Sequence, residues 1–174
     1  MAVYFFDSSA LVKRYAQETG SEWVIATTEP QAGHTLYIAR ITAVEVVSAI
    51  TRRRRGGALS ETDAATASFD FRYDLSHQYR VVEVTATVIA QAMELVVKQA
   101  LRGYDAVQLG AALVVHNLRV TLGLPAFVLV SADRELNVAA TADGLTVDDP
   151  TIIRGQHNAS TWAVSAVGKG LAST

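Results

Sequence analysis

Short runs of apolar residues alternate along the chain with longer segments in which apolar residues recur at helical spacing. This alternation is typical of an α/β domain with a mostly parallel sheet, because the strands of such a sheet are buried on both faces. Five runs have the length and composition of strands: residues 3–6, 35–40, 80–84, 126–131 and 145–147. The pattern therefore predicts one five-stranded sheet.

The segments between these runs carry signals for helices. Thr42 with Glu45, and Ser60 with Asp63, have the spacing of a capping box, in which side chains at a helix start bond to free backbone N–H groups. Helices are predicted over about residues 42–55, 60–75 and 86–99, and from near residue 104. Helices of this length between strands fit the parallel α/β arrangement.

The composition narrows the class of protein. The chain has 174 residues, half of them apolar, which suits one globular domain with a sizeable core. It has no cysteine, so a disulfide framework, a thiolate zinc site and a cysteine nucleophile are all excluded. Lys and Arg total 15 against 17 Asp and Glu, so any nucleic-acid partner must meet a local basic patch.

No targeting or membrane-spanning segment is expected. Asp7 interrupts the first apolar run early, and no window approaches the length of uninterrupted apolar sequence that a membrane-spanning helix needs. We therefore expect a soluble cytoplasmic protein without a membrane partner. After Pro150 the chain is poor in charge and shows no clear period, so residues 1–150 are predicted to form the domain and residues 151–174 a flexible C-terminal extension.

Acidic residues stand near the predicted strand ends and helix starts. Asp7 follows the first strand, Asp133 follows the strand over residues 126–131, and Glu45 and Asp105 fall in the first turns of helices. The carboxyl ends of parallel strands meet at one edge of a sheet, where open α/β folds bind ligands. Each acid alone could simply stabilise a helix N-terminus. Four that converge on one edge predict a cation site.

The type of cation follows from the ligands. Carboxylates at close range disfavour one another's ionisation unless a cation lies between them. Mg²⁺ or Mn²⁺ suits oxygen ligands, whereas His34, His77, His116 and His157 lack zinc-ligand spacing. A divalent ion lowers the pKa of a bound water and neutralises charge on a phosphate. Hydrolysis of a phosphodiester bond is therefore the predicted chemistry.

These residues resemble those of a known family, the PIN-domain ribonucleases, and within it the VapC-type toxins of toxin–antitoxin pairs. The resemblance covers roughly residues 3–150 and is carried by four segments in order: FFDSSALVKRY, ITAVEVVSAI, GYDAVQLGAAL and LVSADREL. It implies a PIN-like three-layer α/β/α fold and a Mg²⁺- or Mn²⁺-dependent endoribonuclease. It also implies a homodimer that a cognate VapB-type antitoxin inhibits.

The resemblance assigns roles to the four acids. Asp7, Glu45 and Asp105 match the family's core acidic positions, and Asp133 matches its more variable fourth position. We expect Asp7 and Asp105 to bind the metal directly, and the other two acids to bind through water or a second ion. By the family's precedent, cleavage would leave a 5′-phosphate and a 3′-hydroxyl.

Hydroxyl and cationic residues surround the acids in the sequence. Ser9 and Ser131 match hydroxyl positions of the family, where they could orient a carboxylate or a water, although turn capping is the ordinary role of such residues. Six cationic residues are candidates for binding RNA phosphates: Lys13, Arg14, Arg52, Arg53, Arg54 and Arg55. The alternative for the arginine run is a solvated helix end, where cations complement the helix dipole.

Three aromatic residues cluster in the segment FDFRYDLSHQY, namely Phe69, Phe71 and Tyr73. Core packing is the commoner role of such side chains. The alternative is a groove for the antitoxin or for a second copy of the chain, since the resemblance implies that a partner docks somewhere.

Two other functions remain open from the sequence. A phosphatase with an aspartyl nucleophile also places Asp after its first strand, but it usually needs a second Asp at the position where this chain has Ser9. A catalytically inactive PIN-like module that binds RNA or protein would keep the fold and lack metal-dependent turnover. The presence of all four acids favours the enzyme.

Overall fold

A computed structural model describes residues 1–152, and in them five strands and seven α-helices are present. The strands are β1 (Val3–Phe6), β2 (Thr35–Ala39), β3 (Arg80–Val82), β4 (Val128–Val130) and β5 (Thr146–Asp148). The helices are α1 (Ser8–Leu11), α2 (Ser21–Thr28), α3 (Thr42–Arg55), α4 (Glu61–His77), α5 (Ala86–Gln99), α6 (Gly103–Thr121) and α7 (Arg134–Ala142). The predicted extension over residues 151–174 lies outside the described residues from residue 153 onwards.

The sheet has the spatial order β3-β2-β1-β4-β5, and all its strands run parallel. The predicted five-stranded parallel sheet is therefore confirmed. Within residues 1–152, no helix has both the length and the apolar character needed to cross a membrane.

Helices cover both faces of the sheet because the side chains of a strand alternate between its faces. Phe5 of β1 packs into the core that α5, α6 and α7 close, together with Leu109 and Leu136. The next residue, Phe6, packs into the opposite core beneath α1 to α4, together with Ile50 and Phe71. The structure thus has the three-layer α/β/α architecture that the resemblance implied.

The starts of α3 and α4 show one correct and one incorrect capping prediction. Ser60 caps α4, since its hydroxyl accepts a hydrogen bond from the Asp63 N–H at 3.0 Å. The capping box of Thr42 with Glu45 is wrong, because Ile41 occupies the N-cap position of α3. The buried Thr42 hydroxyl bonds instead to a side chain of α6, so a tertiary contact replaces the local one.

The aromatic residues of α4 divide between core and surface. Phe71 is fully buried and meets Tyr15 edge-on, with ring centroids 5.2 Å apart. Phe69 and Tyr73 are exposed, and Tyr73 stacks on His77. Core packing is confirmed for Phe71 and is wrong for the other two aromatic residues.

The order of the strands reverses between β1 and β4, at the centre of the sheet. From β1 the sheet grows outward through β2 and β3, and the chain then crosses to β4 and β5 on the other side. The Asp7 N–H donates to the Val130 carbonyl at 3.0 Å, which holds the ends of the two central strands together. Such a reversal leaves a crevice at the carboxyl ends of the strands, where open α/β sheets bind ligands.

Candidate active site

The four acidic side chains approach one another at this crevice. Asp7 follows β1, Asp133 precedes α7 after β4, and Glu45 and Asp105 lie in the first turns of α3 and α6. Burial is the largest cause of the raised pKa of Asp7, Glu45 and Asp105, and the charge of a neighbouring acid adds to it: Asp133 for Asp7, and Asp7 for both Glu45 and Asp105. The structure therefore brings the predicted acids to one edge of the sheet.

Asp7 is the most enclosed of the four, with 3% of its surface exposed. Burial raises the pKa of its carboxyl group, and hydrogen bonds from Ser9 oppose that rise. Its Oδ2 accepts from the Ser9 N–H at 3.0 Å, from the Ser9 hydroxyl at 2.5 Å and from the Ser131 hydroxyl at 3.3 Å. The carboxylate of Asp7 is thereby held in one orientation at the end of a rigid strand.

The same two hydroxyls join the ends of β1 and β4. The Ser9 oxygen accepts a hydrogen bond from the Ala132 N–H at 2.9 Å, and the Ser131 oxygen accepts one from the Asp133 N–H at 3.0 Å. Each serine therefore orders a turn and contacts the Asp7 carboxylate at once. The two roles considered for these serines are compatible in this geometry.

Glu45 is oriented from the neighbouring helix α6. Its Oε2 accepts a hydrogen bond from Gln108 Nε2 at 2.5 Å, and the same nitrogen lies 2.9 Å from the Thr42 hydroxyl. Thr42 and Gln108 are both buried, so this contact is sheltered from water. Burial raises the pKa of Glu45, and the charges of Asp7 and Asp105 act in the same direction.

Asp105 and Asp133 occupy helix starts. Burial, followed by the charges of Asp133 and Asp7, raises the pKa of Asp105 to about 6. Asp133 caps α7, since its Oδ1 accepts from the Leu136 N–H at 3.0 Å. The capping interpretation of Asp133 thus holds, and its position beside the other acids leaves its second oxygen available for a ligand role.

The chemistry of this set suits a hard divalent cation. Within residues 1–152, none of the four carboxylates forms an ion pair with a Lys, Arg or His side chain. Carboxylates without a protein counter-ion, supported by hydroxyls, are the oxygen ligands that Mg²⁺ and Mn²⁺ prefer. Within the same residues, no group of three or more His, Asp or Glu side chains is close enough together to hold a metal ion as it stands.

The described histidines, whose spacing does not fit a zinc site, make other contacts in the structure. His34 Nδ1 accepts from the Ala2 N–H at 3.1 Å, His77 lies beside Tyr73, and His116 packs edge-on against Phe127. His157 lies outside the described residues.

A cleft of about 470 Å³ opens beside the acids. Its walls include Ser9 of α1, Glu45 of α3, Tyr104 of α6 and Ala132. Tyr104 is exposed although it lines the cleft, which makes its ring accessible to a ligand. Of the four acids Glu45 alone lines the cleft, while Ser9, Tyr104 and Ala132 bring its wall next to the other three in the chain.

The six predicted cationic residues divide into two groups. Lys13, Arg52 and Arg53 line the cleft. Arg14 points elsewhere, because its guanidinium pairs with Asp74 at 3.0 Å. Arg54 and Arg55 are exposed at the end of α3 and do not line the cleft. The structure places half of the predicted set where RNA entering the cleft could meet it.

Gln108 is a site residue that the sequence analysis missed. It follows Asp105 by three residues, so the two side chains lie on neighbouring positions of one helix face. This spacing was the available signal. The spacing alone does not show which residue Gln108 contacts, because its partner Glu45 lies on a separate helix, α3.

The raised pKa of Asp105 predicts that this acid destabilises the metal-free fold. The folded protein holds the proton up to about pH 6, whereas the unfolded chain releases it near the ordinary aspartate pKa of 3.8, so stability falls as pH rises between these values. At pH 7.5 in EDTA, Asp105→Asn is expected to raise the free energy of unfolding by about 1 kcal/mol, allowing for solvent screening.

Thermal unfolding of the wild type and of Asp105→Asn at pH 7.5 and near pH 4 measures this effect. Most of the advantage of the variant should be lost near pH 4, where the folded wild type carries the proton and the unfolded chain has regained part of it. Asp70→Asn, at an exposed position of α4, is the matched control. A variant less stable than the wild type at pH 7.5 would contradict the assignment.

The sequence matches a known protein family and two curated proteins. The family model described as PIN domain matches residues 4–141. Two curated proteins of Mycobacterium tuberculosis are similar in sequence: Ribonuclease VapC45 of strain CDC 1551 / Oshkosh and Ribonuclease VapC49 of strain ATCC 25618 / H37Rv. Each is 36% identical over 147 residues, which is 84% of this chain and 95% of the relative.

Solved structures share the fold at lower identity. PAE2754 from Pyrobaculum aerophilum has a TM-score of 0.57 at 23% identity, covering 86% of this chain and 90% of its own. A toxin-antitoxin complex from Klebsiella pneumoniae has a TM-score of 0.53 at 15% identity, and the match covers 86% of this chain and 98% of the matched chain. VapC20 of Mycobacterium tuberculosis, described as a sarcin-ricin loop cleaving toxin, has a TM-score of 0.54 at 18% identity. The match covers 82% of this chain and 96% of VapC20. These likenesses concern the arrangement of the sheet and its helices.

Proposed function

The chain belongs to the PIN-domain family, among its VapC-type ribonucleases, and from this premise we propose that it is an endoribonuclease that depends on Mg²⁺ or Mn²⁺. The observation that carries the metal dependence is the set of four carboxylates at the crevice between β1 and β4. Burial is the main cause of the raised pKa of three of them, Asp7, Glu45 and Asp105, and the charges of neighbouring acids add to it; a bound cation would favour their charged forms.

The four acids are proposed to bind the ion in two different ways. Asp7 and Asp105 are the proposed direct ligands, because one ends a rigid strand and the other begins a long helix beside it. Glu45 and Asp133 bind through water or a second ion. A divalent ion held there acidifies a water molecule and offsets the charge that builds on the phosphate during hydrolysis.

Neighbouring side chains keep these acids in place. Ser9 and Ser131 fix the orientation of the Asp7 carboxylate, and Gln108 fixes that of Glu45. Groups that orient a metal ligand without touching the metal commonly alter affinity or activity by about 10- to 100-fold when they are removed. The three residues therefore belong to the proposed catalytic machinery.

The cleft supplies the contacts to RNA in this proposal. Lys13, Arg52 and Arg53 line it beside the acids and would bind backbone phosphates. The exposed ring of Tyr104 stands at the cleft, where an unpaired base could stack on it. Arg14, Arg54 and Arg55 are not part of this surface.

A protein partner completes the proposal. A solved complex with this fold pairs a toxin with an antitoxin, and we propose that a cognate VapB-type antitoxin restrains this chain as well. The protein is proposed to act as a homodimer in the cytoplasm, where its RNA substrates are. The exposed Phe69 and Tyr73 of α4 offer apolar surface for one of these contacts.

The test is cleavage of total cellular RNA by purified protein freed of any bound antitoxin. Cuts with a 5′-phosphate and a 3′-hydroxyl are expected with Mg²⁺ or Mn²⁺; they should stop in EDTA and resume when excess Mg²⁺ is restored. Mapping the cut ends would identify the target. Cleavage that persists in EDTA would contradict the metal dependence, and absence of cleavage under every condition would contradict the nuclease.

A further inference from the structure

Three charged side chains beside the acidic site form a connected set. Glu18 accepts a hydrogen bond from Lys13 Nζ at 2.9 Å through Oε1 and one from Arg53 at 2.6 Å through Oε2. Lys13 lies in the 3₁₀ turn that follows α1, and Arg53 lies in the last turn of α3. One carboxylate thus joins two cations from different elements, and we call this set the Glu18 bridge.

The Glu18 bridge is built into the cleft wall. Lys13 has only 6% of its surface exposed, and all three members of the bridge line the cleft. A buried ammonium is strongly unfavourable unless it is paired, and among the described residues Glu18 supplies its only ion pair. Burial acts to raise the pKa of Glu18, but hydrogen bonds from Lys13 and Arg53 outweigh it and lower that pKa.

The bridge leaves hydrogen-bond donors unused. An ammonium group has three N–H donors and a guanidinium has five. Within residues 1–152, Lys13 donates once, to Glu18, while Arg53 donates to Glu18 and to the Ala49 carbonyl at 3.3 Å. The remaining donors belong to side chains that line the cleft. Two cations and one carboxylate also leave a net positive charge, which the neighbouring Arg52 increases.

We propose that the Glu18 bridge is a phosphate-binding subsite, in which Lys13 and Arg53 bind an RNA backbone phosphate next to the one that is cleaved. This inference rests on the proposed function. The cleft carries three cations, Lys13, Arg52 and Arg53, against two acids, Glu18 and Glu45, while the chain as a whole carries a charge of -2, so this local excess of positive charge is what would attract the RNA. Glu18 is a positioning residue, because it sets the spacing of the two cations.

Binding is best measured on the Asp105→Asn protein in Mg²⁺, since its RNA should stay intact. Fluorescence anisotropy with a labelled single-stranded RNA, over a range of salt concentrations, is the readout. Lys13→Met keeps the buried stem and is expected to weaken affinity about tenfold. It should also lower the slope of log Kd against log salt by about 0.7, the value for one phosphate contact on single strands.

Arg53→Gln tests the same subsite at a more exposed position and is expected to lose a similar amount of affinity for RNA. In the protein with an intact acidic set, both variants should raise KM for cleavage and leave kcat within about twofold. Arg55→Gln, on the same helix but outside the cleft, is the matched control. Its affinity for RNA is expected to stay within about twofold of the parent protein.

The variant Glu18→Gln distinguishes two possible effects of Glu18 on RNA binding: holding the two cations in place, and repelling RNA by its negative charge. Loss of a negative charge near RNA would tighten binding if Glu18 acted only through the field, whereas loss of a positioning residue should weaken binding severalfold. The effect should be less than additive in the Lys13→Met background, because the two residues act together. Tighter binding by Glu18→Gln would overturn the positioning role.

The nuclease activity and the phosphate-binding subsite can be tested separately. If the wild type cleaves RNA while Lys13→Met and Arg53→Gln bind it as tightly as Arg55→Gln does, the subsite is wrong and the nuclease stands. If the wild type cleaves no RNA and Asp105→Asn binds none, the proposed function fails and the subsite with it. Thermal unfolding shows beforehand which variants retain the fold.

Discussion

Asp105→Asn is expected to lower the rate of metal-dependent RNA cleavage at least about a hundredfold, because it removes a proposed direct ligand of the ion. The substitution keeps the shape of the side chain and one oxygen, so helix α6 should begin as before. It removes the charge that attracts the cation and that repels the neighbouring acids. The loss should therefore appear in both metal affinity and kcat.

Cleavage rates over a series of Mg²⁺ concentrations measure both losses, and calorimetry reports metal binding without relying on turnover. Asp70→Asn is the matched control, since it removes the same charge from an exposed position of α4. The control should cleave like the wild type. An Asp105→Asn protein that kept both metal affinity and cleavage would show that this acid is no ligand.

Gln108→Leu is expected to lower cleavage about 10- to 100-fold, because Glu45 loses the donor that orients it. It should also lower the free energy of unfolding by about 1–3 kcal/mol, since the buried Thr42 hydroxyl loses its partner. The volume of the side chain changes little, so lost packing contributes less than the lost hydrogen bonds.

The double variant Thr42→Val with Gln108→Leu separates the two effects. Replacing both members of a buried hydrogen-bonded pair by apolar groups of similar shape can be nearly neutral, so stability should largely return. Cleavage should stay low, because Glu45 still lacks its donor. Chemical denaturation and the RNA cleavage assay supply the two readouts. Recovery of cleavage together with stability would show that Gln108 acts only on the fold.

The sheet was predictable from the sequence because its strands are buried on both faces and read as continuous apolar runs. Residues 3–6 match β1 at both ends, and the α5 segment matches residues 86–99. The prediction placed β4 at residues 126–131, whereas the strand spans Val128–Val130. Strand ends depend on which residues find a hydrogen-bonding neighbour, and that neighbour is distant in sequence.

Local signals were less reliable where a distant partner competes for a side chain. Ser60 caps α4 as predicted, because its bond to Asp63 needs only the local turn. Thr42 has the same type of signal, yet Gln108 bonds to its hydroxyl from a separate helix. The helix α2 was not predicted, since only eight residues carry it and they show little periodicity.

The sequence by itself determined the acids of the candidate site and the edge where they lie, because strand ends in a parallel sheet all face one side. Tertiary structure alone decided which side chains serve those acids. Gln108 reaches Glu45 only because α6 comes close to the start of α3. Glu18, which precedes α2, joins Lys13 to Arg53 only because the 3₁₀ turn after α1 lies near the end of α3. A hydrogen bond requires its donor and acceptor to lie about 3 Å apart, so partners that are distant in sequence cannot be identified before the fold is known.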